Sequence, residues 1–537
     1  MRAWLPLLLV LGCSGDAPSS DDLEFLQPRE QLIRLSVDLR GVHPTEAELV
    51  AFEGGSLSWH AAADAWLDDP RFLDRVEEVV NDRLLTRVDD TYFDADELGV
   101  SRVDEGRLVD AIGGEPLKLA RWIVANDRPW TELVTADHTM ASPLLAELWD
   151  IEHPGGTGWQ PAQYRDGRPH AGILSMTTTW QRYPSMGGNA NRHRANAISK
   201  MLLCDDYLER PIVLNRAAVD QLVIDPEQAI ATNPTCQSCH STLDPLSANL
   251  FGFFTYDEED GIGRTVYHPE LEEGWRDYAG REPGYFGRPV GNLVELGAAI
   301  GDDPRFVDCA VQTFWEGFTQ RTLDPADWSE VQRHREVFEQ TDLRVKELVR
   351  SIVAGAEYRA RRSTDPELDA RLAGVKTATP AQLASIIEGL TGYRWAFDER
   401  EMRHDARGLA VLAGGVDGRY VTERSYAPGV GTAFTHERLA QAAGWHVARA
   451  DLDPERVLPA KLLVHVDRQM VPDASPIEFR QQFDHLYLTI TGLPAPEGSS
   501  AALDGLWRAI YAVDADPEAA WAGVVSAVLR DPRVLFY

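Results

Sequence analysis

Two of the five cysteines in this chain lie in one short stretch, NPTCQSCHSTLDP, and a histidine directly follows the second. Cys236 and Cys239 are separated by two residues, and His240 comes next. Two thiols at this spacing reach the two vinyl groups of one porphyrin, while the adjacent imidazole becomes the proximal ligand of the iron. From the chain's own content of Cys and His, chance gives this pattern in about one chain in a thousand. The stretch therefore predicts covalent attachment of haem c.

Two other chemistries stay open for the same residues. A redox-active disulfide between Cys236 and Cys239 is one, but such pairs typically belong to a βαβ unit, and the surrounding sequence predicts none. Half of a zinc site is the other, and it needs two further Cys or His ligands at matching spacing. His193, His268 and the remaining cysteines do not supply such a pair. Haem attachment is therefore the favoured interpretation.

The second axial ligand of such an iron decides between two kinds of function. No methionine lies between His240 and Met402, although a small cytochrome c usually takes this ligand from a downstream methionine. A thioether ligand raises the reduction potential and favours electron transfer, whereas an open position lets peroxide or another small ligand bind. Each methionine is also a candidate for simple core packing. The nearby candidates are Met176, Met186 and Met201 upstream and His268 downstream.

The N-terminal sequence, MRAWLPLLLVLGCSG, predicts the compartment. Its apolar run from Ala3 to Leu11 is too short to span a bilayer and is typical of a secretory signal. The four residues that end at Cys13 resemble the bacterial lipobox, in which the cysteine is acylated and becomes the mature N-terminus. A buried N-terminal helix with a chance cysteine is the alternative. We expect an exported lipoprotein, periplasmic or on the cell surface, anchored by lipid to the outer membrane.

Composition narrows the partners further. The chain has 537 residues, a net charge of −33 and 44% hydrophobic residues, which is ample for packed cores. A polyanion is not expected to bind nucleic acid or an anionic membrane surface.

In an oxidising compartment the two remaining cysteines, Cys204 and Cys309, are expected to form a disulfide, and two separate buried thiols are the alternative.

Hydrophobic periodicity predicts the elements that position these residues. Apolar positions recur at three and four through most of the chain, Pro44-Thr45 and Asp69-Pro70 mark helix starts, and strand patterns are few. The predicted fold class is mainly α, a multi-domain helical protein with an embedded cytochrome-c-like haem domain that contains an irregular loop insert. The expected parts are a signal peptide and tether over 1–20, an N-terminal helical domain over 21–155, the haem domain over 156–365 and a C-terminal helical domain over 366–537.

Three segments carry a resemblance to known proteins: HAGILSMTTTWQRYPSMGGNANRHRANAISKMLLC, NPTCQSCHSTLDPL and DPRFVDCAVQTFWEGFTQR. They resemble a family of large, single-haem, cytochrome-c-like bacterial proteins, found mainly in planctomycetes and built from tandem domains of unknown function. This chain departs from the family at Ser247, where Gly is usual, at Gln320-Arg321, which replaces Gly-Arg, and in an expanded stretch after Leu250. The resemblance implies haem and export, and it implies no particular substrate.

The same resemblance orders the candidates for the second axial ligand. The family often carries Met or His at the place of Met176, which therefore ranks first. Met186 ranks second and His268 third.

Electron transfer by an exported c-type haem protein is the function that these features predict. Its partner would be a redox protein or a small electron carrier. Two alternatives stay open: a haem-dependent oxidoreductase, peroxidase-like or a dehydrogenase, and a surface binding or scaffold protein with a structural haem. The sequence does not decide whether the chain is an enzyme. A six-coordinate haem would favour the carrier, and an open sixth position would favour the enzyme.

Overall fold

The computed structural model is mainly helical, with 61% helix and 5% strand, which confirms the predicted mainly α class. It describes residues 22–88, 99–100, 103, 105–185, 187–211, 216, 219, 223–254, 265–278, 281–397, 400–401 and 409–537. The predicted signal peptide, the lipobox cysteine Cys13 and the candidate ligand Met186 lie outside these residues.

Helices make up most of the described chain, and they are numbered here in chain order. Before the Cys-x-x-Cys-His motif they are α1 (Pro28–Arg40), α2 (Glu46–Glu53), α3 (Trp59–Leu67), α4 (Pro70–Leu84), α5 (Glu105–Ala125), α6 (Glu132–Thr135), α7 (Pro143–Trp149), α8 (Thr177–Arg182), α9 (Arg192–Leu203) and α10 (Pro226–Thr232). From the motif to residue 391 they are α11 (Pro234–Ala248), α12 (Trp275–Tyr278), α13 (Leu293–Gly301), α14 (Pro304–Thr319), α15 (Trp328–Gln340), α16 (Val345–Ala354), α17 (Ala356–Arg359), α18 (Pro366–Asp369) and α19 (Pro380–Thr391). The last ones are α20 (Leu409–Leu412), α21 (Val430–Asp451), α22 (Pro476–Thr491), α23 (Ser499–Asp514), α24 (Pro517–Leu529) and α25 (Pro532–Leu535).

Short strands join parts of the chain that are distant in sequence. They are β1 (Leu23–Phe25), β2 (Thr139–Ala141), β3 (Ile151–Glu152), β4 (Gln160–Tyr164), β5 (Gly284–Tyr285), β6 (Arg288–Pro289), β7 (Ala360–Ser363), β8 (Ala396–Phe397) and β9 (Arg400–Glu401). β1 pairs antiparallel with β7, so the start of the described chain is joined to a segment more than three hundred residues later. β4 lies between β2 and β3, while β5 with β6 and β8 with β9 form two-stranded antiparallel pairs.

Side-chain caps set the helix starts where the sequence predicts them. Thr45 caps α2: its hydroxyl accepts from the backbone N–H of Glu48, whose carboxylate in turn accepts from the backbone N–H of Thr45. Asp69 caps α4 by accepting from a backbone N–H of the first turn, with Pro70 as the first helical residue. Both predicted starts are therefore confirmed.

One large hydrophobic cluster runs through the described chain. It contains Leu35 of α1, Trp180 of α8, Phe314 of α14 and Trp521 of α24, all at 0% exposure. All three predicted domain ranges thus contribute side chains to the same cluster. The predicted boundaries near residues 155 and 365 stay predictions.

The surroundings of α11 define the part of the fold that matters for the motif. α9, α10 and β5 pack against α11, whose apolar side chains Leu243 and Leu246 are buried in the large cluster. The predicted irregular insert follows α11. Its described parts consist of short 3-10 turns, the four-residue α12 and the hairpin of β5 and β6. The carboxyl-terminal half of α11 is therefore anchored in the core, whereas its amino-terminal half carries the motif.

Candidate functional site

α11 carries all three residues of the Cys-x-x-Cys-His motif in its first two turns. The side chain of Asn233 caps the helix by accepting from a backbone N–H at 3.0 Å, and Pro234 is the first helical residue. Positions i, i+3 and i+4 share one face of a helix, so Cys236, Cys239 and His240 lie together. Both thiols are free, and all three side chains are partly exposed. One surface of α11 therefore presents two thiols and an imidazole.

The imidazole of His240 is held by a carboxylate on the same helix. Its Nδ1 lies 2.8 Å from Oδ1 of Asp244, one helical turn further on. Its Nε2 has no hydrogen-bond partner among the residues that the structure describes. Metal-ligating histidines commonly have this arrangement, because a carboxylate on one ring nitrogen fixes the tautomer and leaves the other nitrogen for the metal. His240 therefore fits the role of iron ligand.

Asp244 is a site residue that the motif by itself did not indicate. Its side chain is 1% exposed, and its Oδ1 also accepts from Nε of Arg192 on α9 at 2.8 Å. Nε of Arg281 lies 3.9 Å from Oδ2. Burial alone would raise the pKa of Asp244, but the hydrogen bonds from His240 and Arg192 outweigh it and hold the pKa below its usual range. The signal in the sequence was the spacing of four residues from His240, which puts the two side chains on one helix face.

Exposed apolar side chains lie in the segment that leads to α11. Between α9 and α10, Leu208 is 80% exposed, Val223 80% and Ile224 83%. The neighbouring Tyr207 reaches α11, where its hydroxyl lies 2.8 Å from Oγ1 of Thr242. Large apolar side chains in water are unfavourable unless another surface covers them. A porphyrin attached to α11 would provide such a surface, but the fit of this site to haem depends on the two free thiols and the imidazole of α11.

The candidates for the second axial ligand differ in their surroundings. Met176 is 0% exposed and lies in the large hydrophobic cluster, as the residue that immediately precedes α8. His268 is partly exposed, and its Nδ1 lies 3.1 Å from Oε1 of Glu270. The burial of Met176 also suits a methionine that fills space in a core. The assignment of a second ligand to Met176, Met186 or His268 stays a prediction.

Cys204 and Cys309 are joined by a disulfide, with their Cα atoms 5.2 Å apart. Cys204 directly follows the last residue of α9, and Cys309 lies within α14. The bond therefore fixes the carboxyl end of α9, the same helix whose first residue, Arg192, binds Asp244. It connects the support of the motif to the core helix α14.

No protein-family model, curated protein or solved structure matches this chain. Among the described helices, none is both long and apolar enough to cross a membrane. Among all residues that the structure describes, no group of three or more His, Cys, Asp and Glu side chains could hold a metal ion. A haem iron takes most of its ligands from the porphyrin, so the fit of this site depends on the two thiols and the single imidazole of α11.

Proposed function

We propose that this chain is an exported, lipid-anchored c-type haem protein that transfers single electrons between redox partners. The geometry of α11 supports this most, because one helix face presents two free thiols and an imidazole whose Nε2 is open. Covalent attachment needs thiols that are not already joined in a disulfide and that lie on the same side as the ligand. Cys236, Cys239 and His240 meet both conditions.

Each residue of the motif has a separate task in this proposal. Cys236 and Cys239 hold the porphyrin through thioether bonds, and His240 ligates the iron through Nε2. When bound, haem supplies a one-electron couple at the iron. α11 keeps the two sulfur atoms about one turn apart, and the anchoring of its second half in the core limits their movement. The exposed apolar residues between α9 and α10 would shield one part of the porphyrin from water.

The charge of the chain indicates which redox partners it favours. With a net charge of −33, it attracts positively charged proteins or small carriers and repels anionic ones. Electrostatic attraction of this kind mainly increases the rate of encounter, and it weakens as salt is added. We therefore expect the electron partner, a protein or a small carrier, to be cationic at its contact surface.

Haem staining after denaturing electrophoresis tests the proposal. The full chain, produced with a c-type maturation system, should retain its stain after denaturation, because thioether bonds survive it. Cys236→Ala combined with Cys239→Ala should abolish the stain. Cys204→Ser combined with Cys309→Ser is the matched control, since it also removes two cysteines but should leave the stain in place. Equal staining of the wild type and the Cys236/Cys239 double variant would refute attachment at α11.

A haem-dependent oxidoreductase is the second candidate, and the contact between His240 and Asp244 favours it. A carboxylate that is hydrogen-bonded to the ring nitrogen facing away from the metal makes a histidine a stronger electron donor to that metal. This suits an iron that must reach higher oxidation states. Optical spectra of the reduced holoprotein with and without carbon monoxide separate the two candidates. An unchanged low-spin spectrum would support the electron carrier, and a carbon monoxide complex would support the oxidoreductase.

A further inference from the structure

Asp244 binds an imidazole and a guanidinium through the same oxygen atom. Its Oδ1 lies 2.8 Å from Nδ1 of His240 and 2.8 Å from Nε of Arg192. The carboxylate is 1% exposed, so no bulk water competes for it. Oδ1 of Asp244 is therefore the shared acceptor of His240 and Arg192. A change in either contact must therefore alter the other.

The partners of Asp244 determine where the proton of His240 resides. A carboxylate that forms an ion pair with Arg192 is ionised and can only accept hydrogen bonds. The proton between the two side chains therefore belongs to Nδ1, so that in the neutral imidazole the lone pair is on Nε2. Because Asp244 follows His240 by one helical turn, the contact also fixes the orientation of the ring relative to the helix.

We propose that Asp244 is the positioning residue of the haem site, and that Arg192 limits its effect. Asp244 directs the Nε2 lone pair to the iron and increases the electron donation of His240, while Arg192 withdraws charge from the shared oxygen. This inference depends on the proposed function, since it takes His240 as a ligand of haem. It goes further by assigning the control of the reduction potential to two residues outside the Cys-x-x-Cys-His motif.

The position of Arg192 gives this control a structural basis. Arg192 is the first residue of α9, and the disulfide of Cys204 holds the other end of that helix. α9 also packs along α11. The guanidinium of Arg192 thus comes from a second helix, and the disulfide restrains the position of that helix. Removal of the Arg192 charge should therefore change the electrostatic environment of the Asp244 carboxylate without displacing that side chain.

Opposite shifts of the reduction potential are the test. Stronger donation by His240 stabilises ferric iron and lowers the potential. Asp244→Asn should raise the potential of the holoprotein, because the neutral amide accepts the Nδ1 proton more weakly. Arg192→Gln should lower it, because the carboxylate then keeps more of its negative charge for His240, with Arg281 still 3.9 Å from Oδ2. Arg192→Lys, which keeps the charge, should return the potential toward that of the wild type.

Asp327→Asn is the matched control for the loss of a buried carboxylate. Asp327 is 0% exposed and binds two arginines, with Arg321 at 2.7 Å and Arg371 at 3.1 Å, as Asp244 does in its own surroundings. No histidine of the motif contacts it. This variant should therefore leave the potential unchanged. Potentials that do not move in the Asp244 and Arg192 variants, or that move in the same direction, would overturn the inference.

A measurement without haem separates this inference from the proposed function. In the full chain labelled with 15N-histidine and produced without haem maturation, neutral His240 should carry its proton on Nδ1. Asp244→Ala should move that proton to Nε2, and His240→Gln identifies the signal. A wild type that takes up no haem refutes the proposed function, whereas a proton on Nε2 in the wild type refutes the positioning role of Asp244.

Discussion

Cys204 is bonded to Cys309 across 105 residues that include the whole of α11. The bond joins the end of α9 to the middle of α14, a helix that is largely buried in the core. α9 in turn carries Arg192, which binds Asp244 beside the motif. The disulfide therefore supports the motif indirectly: it fixes the helix that packs against α11, and neither sulfur belongs to the proposed haem site.

Removal of this disulfide should lower stability while leaving the haem spectrum nearly unchanged. A cross-link over about a hundred residues restricts the unfolded chain and contributes up to ~4 to 5 kcal/mol by the loss of loop entropy. Thermal unfolding of Cys204→Ser with Cys309→Ser, followed by circular dichroism, measures the loss. An unchanged melting temperature, or mass spectrometry that finds both thiols free in the wild type, would contradict the prediction.

A buried ion pair joins the first helix to the C-terminal region. Nζ of Lys376 lies 2.6 Å from Oδ2 of Asp38 on α1, and both side chains are at most 1% exposed. The hydroxyls of Tyr358 and Tyr537 donate to the same carboxylate at 2.5 and 2.7 Å. Burial lowers the pKa of Lys376 to about 8, although the attraction of Asp38 opposes this. The carboxylate of Asp38 is thus in direct contact with one buried cation and two phenol hydroxyls.

Lys376→Met should destabilise the protein by about 3 to 5 kcal/mol, because it leaves the charge of Asp38 buried without its cation. The double variant Asp38→Asn with Lys376→Met should be less destabilised than Lys376→Met alone, since it removes both charges. Urea denaturation of the three proteins at pH 7 gives the comparison. A double variant that is the least stable of the three would show that the isolated carboxylate is not the cause.

His43, between α1 and α2, should make stability depend on pH. Burial lowers the pKa of His43 from 6.5 to about 4. As the pH falls below 6.5, His43 becomes protonated in the unfolded chain but stays neutral in the folded protein. The free energy of unfolding therefore decreases between pH 6.5 and about 4. Above pH 6.5 the residue is neutral in both states and has no effect. The loss should reach roughly 3 kcal/mol at the lower end of this range.

The comparison of wild type with His43→Phe isolates this contribution, because Phe retains a planar ring and cannot be protonated. Denaturant unfolding at several pH values from 7 to 4 should give a smaller slope for the variant. Parallel curves for the two proteins would place the pH dependence on other groups.

Cys13→Ser should release the protein from the membrane fraction and stop its labelling with fatty acid, because the lipobox reaction requires the thiol. Metabolic labelling in a bacterial host, followed by fractionation, measures both effects. Cys239→Ala serves as the control and should remain labelled. Labelling that persists in Cys13→Ser would mean that the lipid is attached elsewhere, or that the N-terminal segment is not a lipoprotein signal.

Local patterns in the sequence determined the features that depend on neighbouring residues. Helix periodicity predicted the mainly α class, and the caps at Thr45 and Asp69 predicted helix starts, because both effects act within one or two turns. The shared face of Cys236 and His240 follows from the same short range once their segment is helical. The pairing of the two remaining cysteines was also predicted, from their even number and the compartment.

Only the tertiary structure decided which distant groups meet. Arg192 binds Asp244 across 52 residues, Lys376 binds Asp38 across 338, and β1 pairs with β7. Arg192 is one of many arginines that could have neutralised Asp244. The choice depends on how α9 and α11 pack, and this packing is set by the shapes of many buried side chains at once. Residue types and spacing therefore identified the motif, whereas its electrostatic support came from the arrangement of the whole fold.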